Sequence, residues 1–87
     1  MPKYEVSYDL RKPGRNYESL WKRLGEWGAT RVLQSVWIID RQTTAVQIRD
    51  DLQRHMDEND GILVTGLTGE SAWRHLEANS DRSLKAA

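Results

Sequence analysis

Residues 4–10, Tyr-Glu-Val-Ser-Tyr-Asp-Leu, alternate between apolar and polar side chains. A period of two in aromatic and β-branched residues predicts a β-strand that is buried on one side. The two sides would carry Tyr4, Val6 and Tyr8 on one and Glu5, Ser7 and Asp9 on the other. A Pro-Gly pair follows at positions 13 and 14 and predicts a turn, because proline fixes φ and glycine readily adopts positive values.

Two later stretches carry apolar side chains at helical spacing. The first, residues 17–27, has Asn16 as a suitable N-cap and ends at Gly28. Gly25 within it indicates close packing, since glycine inside a helix costs about 1 kcal/mol relative to alanine. The second helix begins at a cap provided by Thr43 or Thr44. Its inner side would consist of Ala45, Ile48, Leu52 and either His55 or Met56.

The remaining segments favour extended structure. Residues 30–40 are long for one strand and predict either two strands that meet near Gln34 or Ser35 or one strongly bent strand. Residues 62–67 form an apolar run beside glycines, which predicts a central strand buried on both faces. Residues 71–78 predict a short last helix, and residues 79–87 a flexible tail. The inward side of that last helix would carry Ala72, Trp73 and Leu76.

This order of elements predicts one α+β domain over residues 1–78, with a short C-terminal helix or extension. Helices between the strands can serve as right-handed crossovers on one side of a sheet. The expected arrangement is ferredoxin-like βαββαβ, a four-stranded antiparallel sheet with both helices on one face. Many unrelated functions use this fold, so the fold alone predicts none of them.

Composition narrows the function classes. The 87 residues include no cysteine, which excludes disulfides and thiolate metal sites, and the net charge of zero argues against general nucleic-acid binding through bulk charge. No apolar run approaches the roughly 20 residues of a membrane-spanning helix. No apolar leader follows the first residues, so we expect a cytoplasmic protein without membrane association.

Asp9 is the candidate for chemistry, because it ends the first strand beside basic residues. One carboxylate is a poor Mg²⁺ site, but two related by a two-fold axis, with waters and a substrate phosphate, would suit octahedral coordination. Such an ion could polarise a phosphodiester and lower the pKa of a bound water. The alternative is a structural Asp9 that accepts backbone N–H groups in the turn before Pro13.

The basic side chains near Asp9 also allow two interpretations. They could form a patch that faces nucleic-acid phosphates, or they could be ordinary solvated charges of a loop and a helix. The residues concerned are Arg11, Lys12, Arg15, Lys22 and Arg23.

Apolar residues outnumber those that two helices need to cover, so we expect a homodimer. Its interface would use the uncovered face of the sheet, an edge strand and the segment after Leu67. The side chains expected there are Val36, Trp37, Ile38 and Trp73.

Several segments of the sequence resemble those of the small CRISPR-associated "Cas-two" proteins. They are a first strand ending Tyr8-Asp9-Leu10, a helix closing on Leu24 and a glycine, and the sequence Arg-Val-Leu-Gln-Ser-Val-Trp at 31–37. Asp-Gly-Ile-Leu-Val at 60–64 resembles the closing strand of that family, and the resemblance covers residues 4–67. Gly-Glu-Ser-Ala-Trp at 69–73 is similar to a stand-alone branch of such proteins.

The resemblance implies a homodimer in which Asp9 of each subunit faces its mate. It implies either an endonuclease that needs Mg²⁺ or Mn²⁺ or a non-catalytic bridge in spacer acquisition, part of antiviral defence. DNA or RNA and other CRISPR-associated proteins would be the partners, with nucleic acid bound by Arg11, Lys12, Arg15 and Arg31. Two positions depart from the family pattern: Ile38 stands where an acid is usual, and Arg15 alone where an arginine pair is often found.

Two function classes therefore follow from the sequence. One is a metal-dependent phosphodiesterase that acts on nucleic acid through Asp9. The other is a dimeric protein–protein interaction module that performs no chemistry.

Overall fold

A computed structural model describes residues 2–84 of the chain. Its regular elements are β1 (Lys3–Asp9), α1 (Glu18–Glu26), β2 (Thr30–Leu33), β3 (Val36–Asp40), α2 (Ala45–Gln53) and β4 (Gly61–Leu67), followed by a 3-10 turn at Ser80–Ser83. The strands form one antiparallel sheet in the order β2-β3-β1-β4. This is the ferredoxin-like βαββαβ arrangement, and the predicted fold class is confirmed.

The alternation in β1 separates the two faces of the sheet. Val6 is fully buried and Tyr8 is 7% exposed, and both pack in the core between the sheet and the helices. Val6 is opposite Trp37 in β3 and Val64 in β4, so the same face continues across three strands. Both helices cover this face, as predicted, through the buried side chains of Leu20, Leu24, Ile48 and Leu52.

The ends of α1 follow from local chemistry. The Asn16 side chain accepts a hydrogen bond from the N–H of Glu18 at 2.8 Å, which satisfies one donor of the first turn. At the other end, Ala29 N–H bonds to Leu24 O and Gly28 N–H to Gly25 O, both at 3.0 Å. This is a Schellman motif, and Gly28 has the φ of +71° that it requires. The predicted stop at Gly28 is confirmed, whereas the N-cap is Tyr17 and the predicted cap, Asn16, lies one residue before it.

The other predicted turns are also present. Thr44 caps α2 by accepting a hydrogen bond from the N–H of Gln47 at 3.2 Å. Residues 30–40 form two strands joined at Gln34 and Ser35, with an irregularity between Arg31 and Leu33. The Arg31 guanidinium donates through Nε and Nη2 to the carbonyl oxygen of Gln34, at 3.0 and 2.6 Å, and so closes the hairpin.

One hydroxyl connects three elements inside the core. The Tyr8 oxygen accepts hydrogen bonds from Nε1 of Trp21 at 3.0 Å and from Nε1 of Trp37 at 2.9 Å. An indole N–H can only donate, so each of these tryptophans needs an acceptor at its inner end. The Arg31 guanidinium lies 5.4 Å from the ring of Trp21 and 5.5 Å from that of Trp37, a cation–π arrangement.

The prediction that β4 is a central strand is wrong. It pairs with β1, as expected, but lies at the edge of the sheet, and Leu63 is 62% exposed. The strand alternates in burial rather than being buried on both faces. Its apolar run resembled a central strand because Leu63, which points away from the helices, is as apolar as its inward neighbours.

The short helix predicted at residues 71–78 is also absent. This stretch has no regular secondary structure, and His75 adopts a φ of +56°, which a helix cannot contain. The apolar residues of this stretch line a groove on the face of the sheet opposite the helices. Of the flexible tail predicted for residues 79–87, Ser80–Ser83 form the 3-10 turn and Ser80 is 3% exposed, whereas residues 85–87 lie outside the described part of the chain.

The segment after β4 also reaches the far edge of the sheet. Glu77 N–H donates to the carbonyl oxygen of Val32 in β2 at 3.0 Å. At the opposite edge, no backbone hydrogen bond from within residues 2–84 reaches the outer side of β4. Within the described residues, the sheet therefore has one contacted edge, at β2, and one open edge, at β4.

Within residues 2–84, neither helix has the length and apolar character needed to cross a bilayer.

The packing expected around Gly25 is not found, since a Cβ at this position would meet nothing within 4 Å. Gly25→Ala should therefore raise the free energy of unfolding by about 0.5–1 kcal/mol, because alanine is the better helix former and fits without a clash. Urea unfolding monitored by tryptophan fluorescence would measure this. Leu24 is one position earlier and fully buried, so Leu24→Ala should instead lower the free energy of unfolding by about 2–5 kcal/mol. A destabilised Gly25→Ala variant would contradict the open surroundings of this residue.

Candidate functional site

The C-terminal end of β1 is where three connections of the fold meet. Asp9 is opposite Gly61, the first residue of β4, and Tyr8 N–H donates to Ser35 O of the hairpin turn at 3.1 Å. The loop from β1 to α1 begins at the same point. We refer to this region, formed by Asp9, residues 10–17, the hairpin turn and residues 57–61, as the β1 end. It gathers Asp9, Arg11, Lys12 and Arg15 in one region.

Asp60 holds the β1 end together. Its Oδ1 accepts the N–H of Arg11 at 2.7 Å, and its Oδ2 accepts the Tyr17 hydroxyl at 2.7 Å and the N–H of Asp57 at 2.8 Å. One carboxylate thus joins the loop after β1, the start of α1 and the loop before β4. In the sequence, Asp60 stands out only as part of the segment Asp-Gly-Ile-Leu-Val, and its spacing from the other two segments indicates no contact with them.

The electrostatics of Asp60 and Tyr17 follow from these contacts. Burial acts to raise the pKa of Asp60, but the three hydrogen bonds it accepts favour the charged form, and its pKa lies below the ordinary value. Burial, and next the hydrogen bond to the Asp60 carboxylate, raise the pKa of Tyr17 above its usual range. The pair therefore consists of an ionised acceptor and a neutral donor at neutral pH.

Asp9 itself is exposed and forms an ion pair within its own loop. Its side chain is 71% exposed, and its Oδ2 accepts a hydrogen bond from Arg11 Nε at 3.0 Å. Arg11 is held in place by a second bond, from Nη1 to Asn59 O at 3.1 Å. Gly61 makes room for this pair, since a Cβ there would lie 3.1 Å from Arg11 Nη2. The backbone-bonded turn considered as the alternative role of Asp9 is instead provided by Asp60.

The metal site expected at Asp9 requires two subunits. Within residues 2–84 of one chain, no group of three or more His, Cys, Asp or Glu side chains is placed to hold a metal ion. Asp9 Oδ1 makes no hydrogen bond within the same residues, so one oxygen of each carboxylate remains available. The two-chain site through Asp9 stays a prediction.

The basic residues do not form a uniform patch. Lys12 lies 3.6 Å from Asp57, and the Arg15 guanidinium lies 5.4 Å from the centre of the Tyr17 ring. Arg23 makes a bidentate pair with Asp51, at 3.0 and 2.8 Å. Arg31 belongs to the hairpin, as described above. Since acids lie among these cations at the β1 end, the surface there has mixed charge.

The opposite face of the sheet carries a second candidate site. We call this the open face; it consists of Glu5, Ser7, Val36, Ile38, Leu63 and Leu67. A groove of about 440 Å³ runs between this face and the segment after β4. Three of the residues expected at a dimer interface, Val36, Ile38 and Trp73, line this groove together, but Ile38 is only 4% exposed and is already covered within the chain. Trp37 does not, because it points to the helices and is 8% exposed in the core.

Glu5 and Arg74 also line the groove, and sequence reasoning did not select either. The alternation of β1 placed Glu5 on the polar side of the strand, and this is the one feature of the sequence that indicates its exposure on the face without helices. It did not show that the neighbours of Glu5 on that face would be apolar. Arg74 lies in a stretch that was predicted to be helical, so its position relative to the sheet could not be deduced.

No protein-family model matches this sequence, and no solved structure gives a significant match. Support for a function therefore comes from the chain's own residues and their geometry.

Asp60→Asn should lower the free energy of unfolding by about 1–3 kcal/mol at pH 7, because it removes an ionised acceptor of three hydrogen bonds. The folded pKa of Asp60 lies below the unfolded value of about 3.9, so its contribution is complete above that value. It is lost as the pH falls through the folded pKa. Denaturant unfolding at pH 7 and pH 3 should therefore show the gap between wild type and variant narrowing in acid.

Tyr17→Phe is the matched control, since it removes one of the three donors and keeps the carboxylate. It should cost about 0.5–1.5 kcal/mol at pH 7, less than Asp60→Asn. A gap between wild type and Asp60→Asn that widens in acid would contradict the ionised role of Asp60.

Proposed function

We propose that this protein is a dimeric interaction module in which two copies pack through their open faces. The observation that carries the proposal is the groove, because it gathers apolar side chains that the helices leave uncovered. Trp73 at its rim is 42% exposed, and Leu63 on the same face is 62% exposed. Exposed apolar surface of this kind marks interaction sites in soluble proteins.

The open edge of β4 supports the same proposal. Its outward backbone N–H and C=O groups have no hydrogen-bond partner within residues 2–84 and lie directly beside the open face. An edge strand without charges or a proline on its outer side is a template for another strand. The sequence of β4, Gly-Ile-Leu-Val-Thr-Gly-Leu, contains neither.

The resemblance to the small CRISPR-associated proteins supports a homodimer as well. In the non-catalytic case it implies a bridge between other proteins, with DNA or RNA and CRISPR-associated proteins as partners. The mixed charge of the β1 end supports such a bridge better than it supports tight nucleic-acid binding, which requires an excess of cations. A dimer would present two β1 ends, one from each subunit, to a shared partner.

Light scattering at tens of micromolar protein should give a mass of about 20 kDa, twice the 10.1 kDa of one chain. Leu63→Glu should weaken the dimer by about tenfold or more, because it replaces an apolar contact of the open face by a charge. Val46→Glu is the matched control, since Val46 is 55% exposed but lies on α2, away from the open face. It should leave the mass unchanged. A wild-type mass of about 10 kDa, or equal loss of the dimer in both variants, would overturn the proposal.

The second candidate function, a metal-dependent endonuclease, is favoured by the exposure of Asp9. Its carboxylate is 71% exposed at the end of a central strand, with one oxygen free of hydrogen bonds in residues 2–84. The Asp9 carboxylates of two subunits would hold Mg²⁺ or Mn²⁺, which supplies Lewis-acid polarisation of a phosphodiester. The ion would compete with Arg11 for the carboxylate, so we expect weak binding.

If Asp9 is catalytic, cleavage of DNA or RNA should require Mg²⁺ or Mn²⁺ and fall to background in Asp9→Ala. Asp40→Ala is the matched control, because Asp40 also ends a strand and pairs with a basic residue, Lys3, at 2.9 Å. It should retain activity, and light scattering should show the same dimer for both variants. Activity that persists in Asp9→Ala, or that does not depend on the metal, would exclude this role and leave the interaction module.

A further inference from the structure

Glu5 is a half-buried carboxylate that has no cationic partner among residues 2–84. It lies near the middle of the open face, opposite Ile38 in β3 and Thr65 in β4, and lines the groove. Within residues 2–84, no Lys, Arg or His nitrogen lies within 4.0 Å of it. Its one side-chain hydrogen bond comes from the Ser7 hydroxyl at 3.4 Å, which is long. Partial burial among apolar side chains disfavours a charge that has no partner.

The nearest basic residue on the same face of β1 is already paired. Lys3 lies two positions before Glu5, and its Nζ donates to Asp40 Oδ2 at 2.9 Å. Among residues 2–84, the groove therefore contains an acid that no cation neutralises. Once a second copy covers the open face, water would leave Glu5 and the cost of its charge would increase.

Arg74 is the complementary residue. It lines the same groove from the segment after β4, is exposed, and has no carboxylate within 4.0 Å among residues 2–84. Glu70 lines the groove too, but it is exposed, so water solvates its charge. Within residues 2–84, the groove thus contains one partly buried acid without a cation and, at its rim, one arginine without a carboxylate, and the two do not pair with each other.

We propose that Arg74 of the partner subunit pairs with Glu5 across the dimer, and the reverse. This inference rests on the dimer proposed above and names what gives it its specificity. A two-fold axis repeats every contact, so one complementary pair produces two. Arginine suits this position, since its planar guanidinium binds a carboxylate through two parallel hydrogen bonds. A second copy supplies the missing cation and the apolar surface together, which is why we assign the groove to it.

The test uses charge reversal in the full chain. Glu5→Arg and Arg74→Glu should each raise the dimer dissociation constant by about a hundredfold or more. In either variant, both of the symmetry-related contacts between positions 5 and 74 would join two side chains of the same charge. The double variant, Glu5→Arg with Arg74→Glu, should restore the dimer, since both pairs reform with reversed sign. Analytical ultracentrifugation over a range of concentrations would measure the three constants.

Mixing the two single variants separates pairing between chains from pairing within a chain. In the mixed dimer, the arginine that replaces Glu5 in one subunit faces the glutamate that replaces Arg74 in the other. The second contact joins the unchanged Arg74 of the first subunit to the unchanged Glu5 of the other. The mixture should therefore form a heterodimer although each variant alone is monomeric. If the pair formed within one chain, mixing would restore nothing, and that result would overturn the proposal.

The outcomes also separate this inference from the dimer itself. A wild-type dimer that Leu63→Glu disrupts, but that both single reversals leave intact, would overturn the Glu5–Arg74 pair and retain the interaction module. Loss of the dimer in Glu5→Arg but not in Arg74→Glu would show that another cation faces Glu5, and would also overturn the pair. A monomeric wild type would overturn both proposals and exclude a second copy as the occupant of the groove. Unfolding of each variant by urea would confirm that the subunit itself remains folded.

Discussion

The hydroxyl of Tyr8 accepts hydrogen bonds from one buried and one partly buried indole group, and this contact determines how the layers of the protein are arranged. Trp21 on α1 and Trp37 on β3 both need an acceptor at the same point, and a single oxygen on β1 provides it. A shift of the helix along the sheet, or of β3 by one residue, would leave at least one buried donor unpaired, which costs about 1–3 kcal/mol. The register of the central strands and the position of α1 are therefore coupled through one atom.

The same register separates the residues that stabilise the fold from those that are available for function. When Val6 and Tyr8 face the helices, Glu5, Ser7 and Asp9 must face the other way, because a strand turns successive side chains to opposite faces. The side chains of β1 that can carry a charge thus all lie on the face without helices. The core of the protein and its candidate sites are produced by one alternating stretch of seven residues.

The sequence predicted what depends on local pattern. The strand alternation, the Thr44 cap, the stop at Gly28 and the βαββαβ order all follow from spacing or from the stereochemistry of single residues. It did not predict what depends on pairing between distant segments. The edge position of β4, the inward face of Trp37 and the role of Asp60 each require the register of two strands or the meeting of three loops. The approach of Arg74 to the sheet lies in a stretch without regular structure, for which periodicity carries no information.

The bond from Glu77 to Val32 has a consequence for how far association can proceed. A sheet with two free edges can add a neighbour at each, and repeated addition produces open-ended filaments. Here the segment after β4 already contacts the β2 edge, and within residues 2–84 only the β4 edge has no such contact. If the β4 edges of two molecules paired, the free edge that each molecule has within residues 2–84 would be occupied. Assembly through strand pairing at β4 would therefore stop at two copies, since the Glu77 contact disfavours the addition of a strand at the β2 edge.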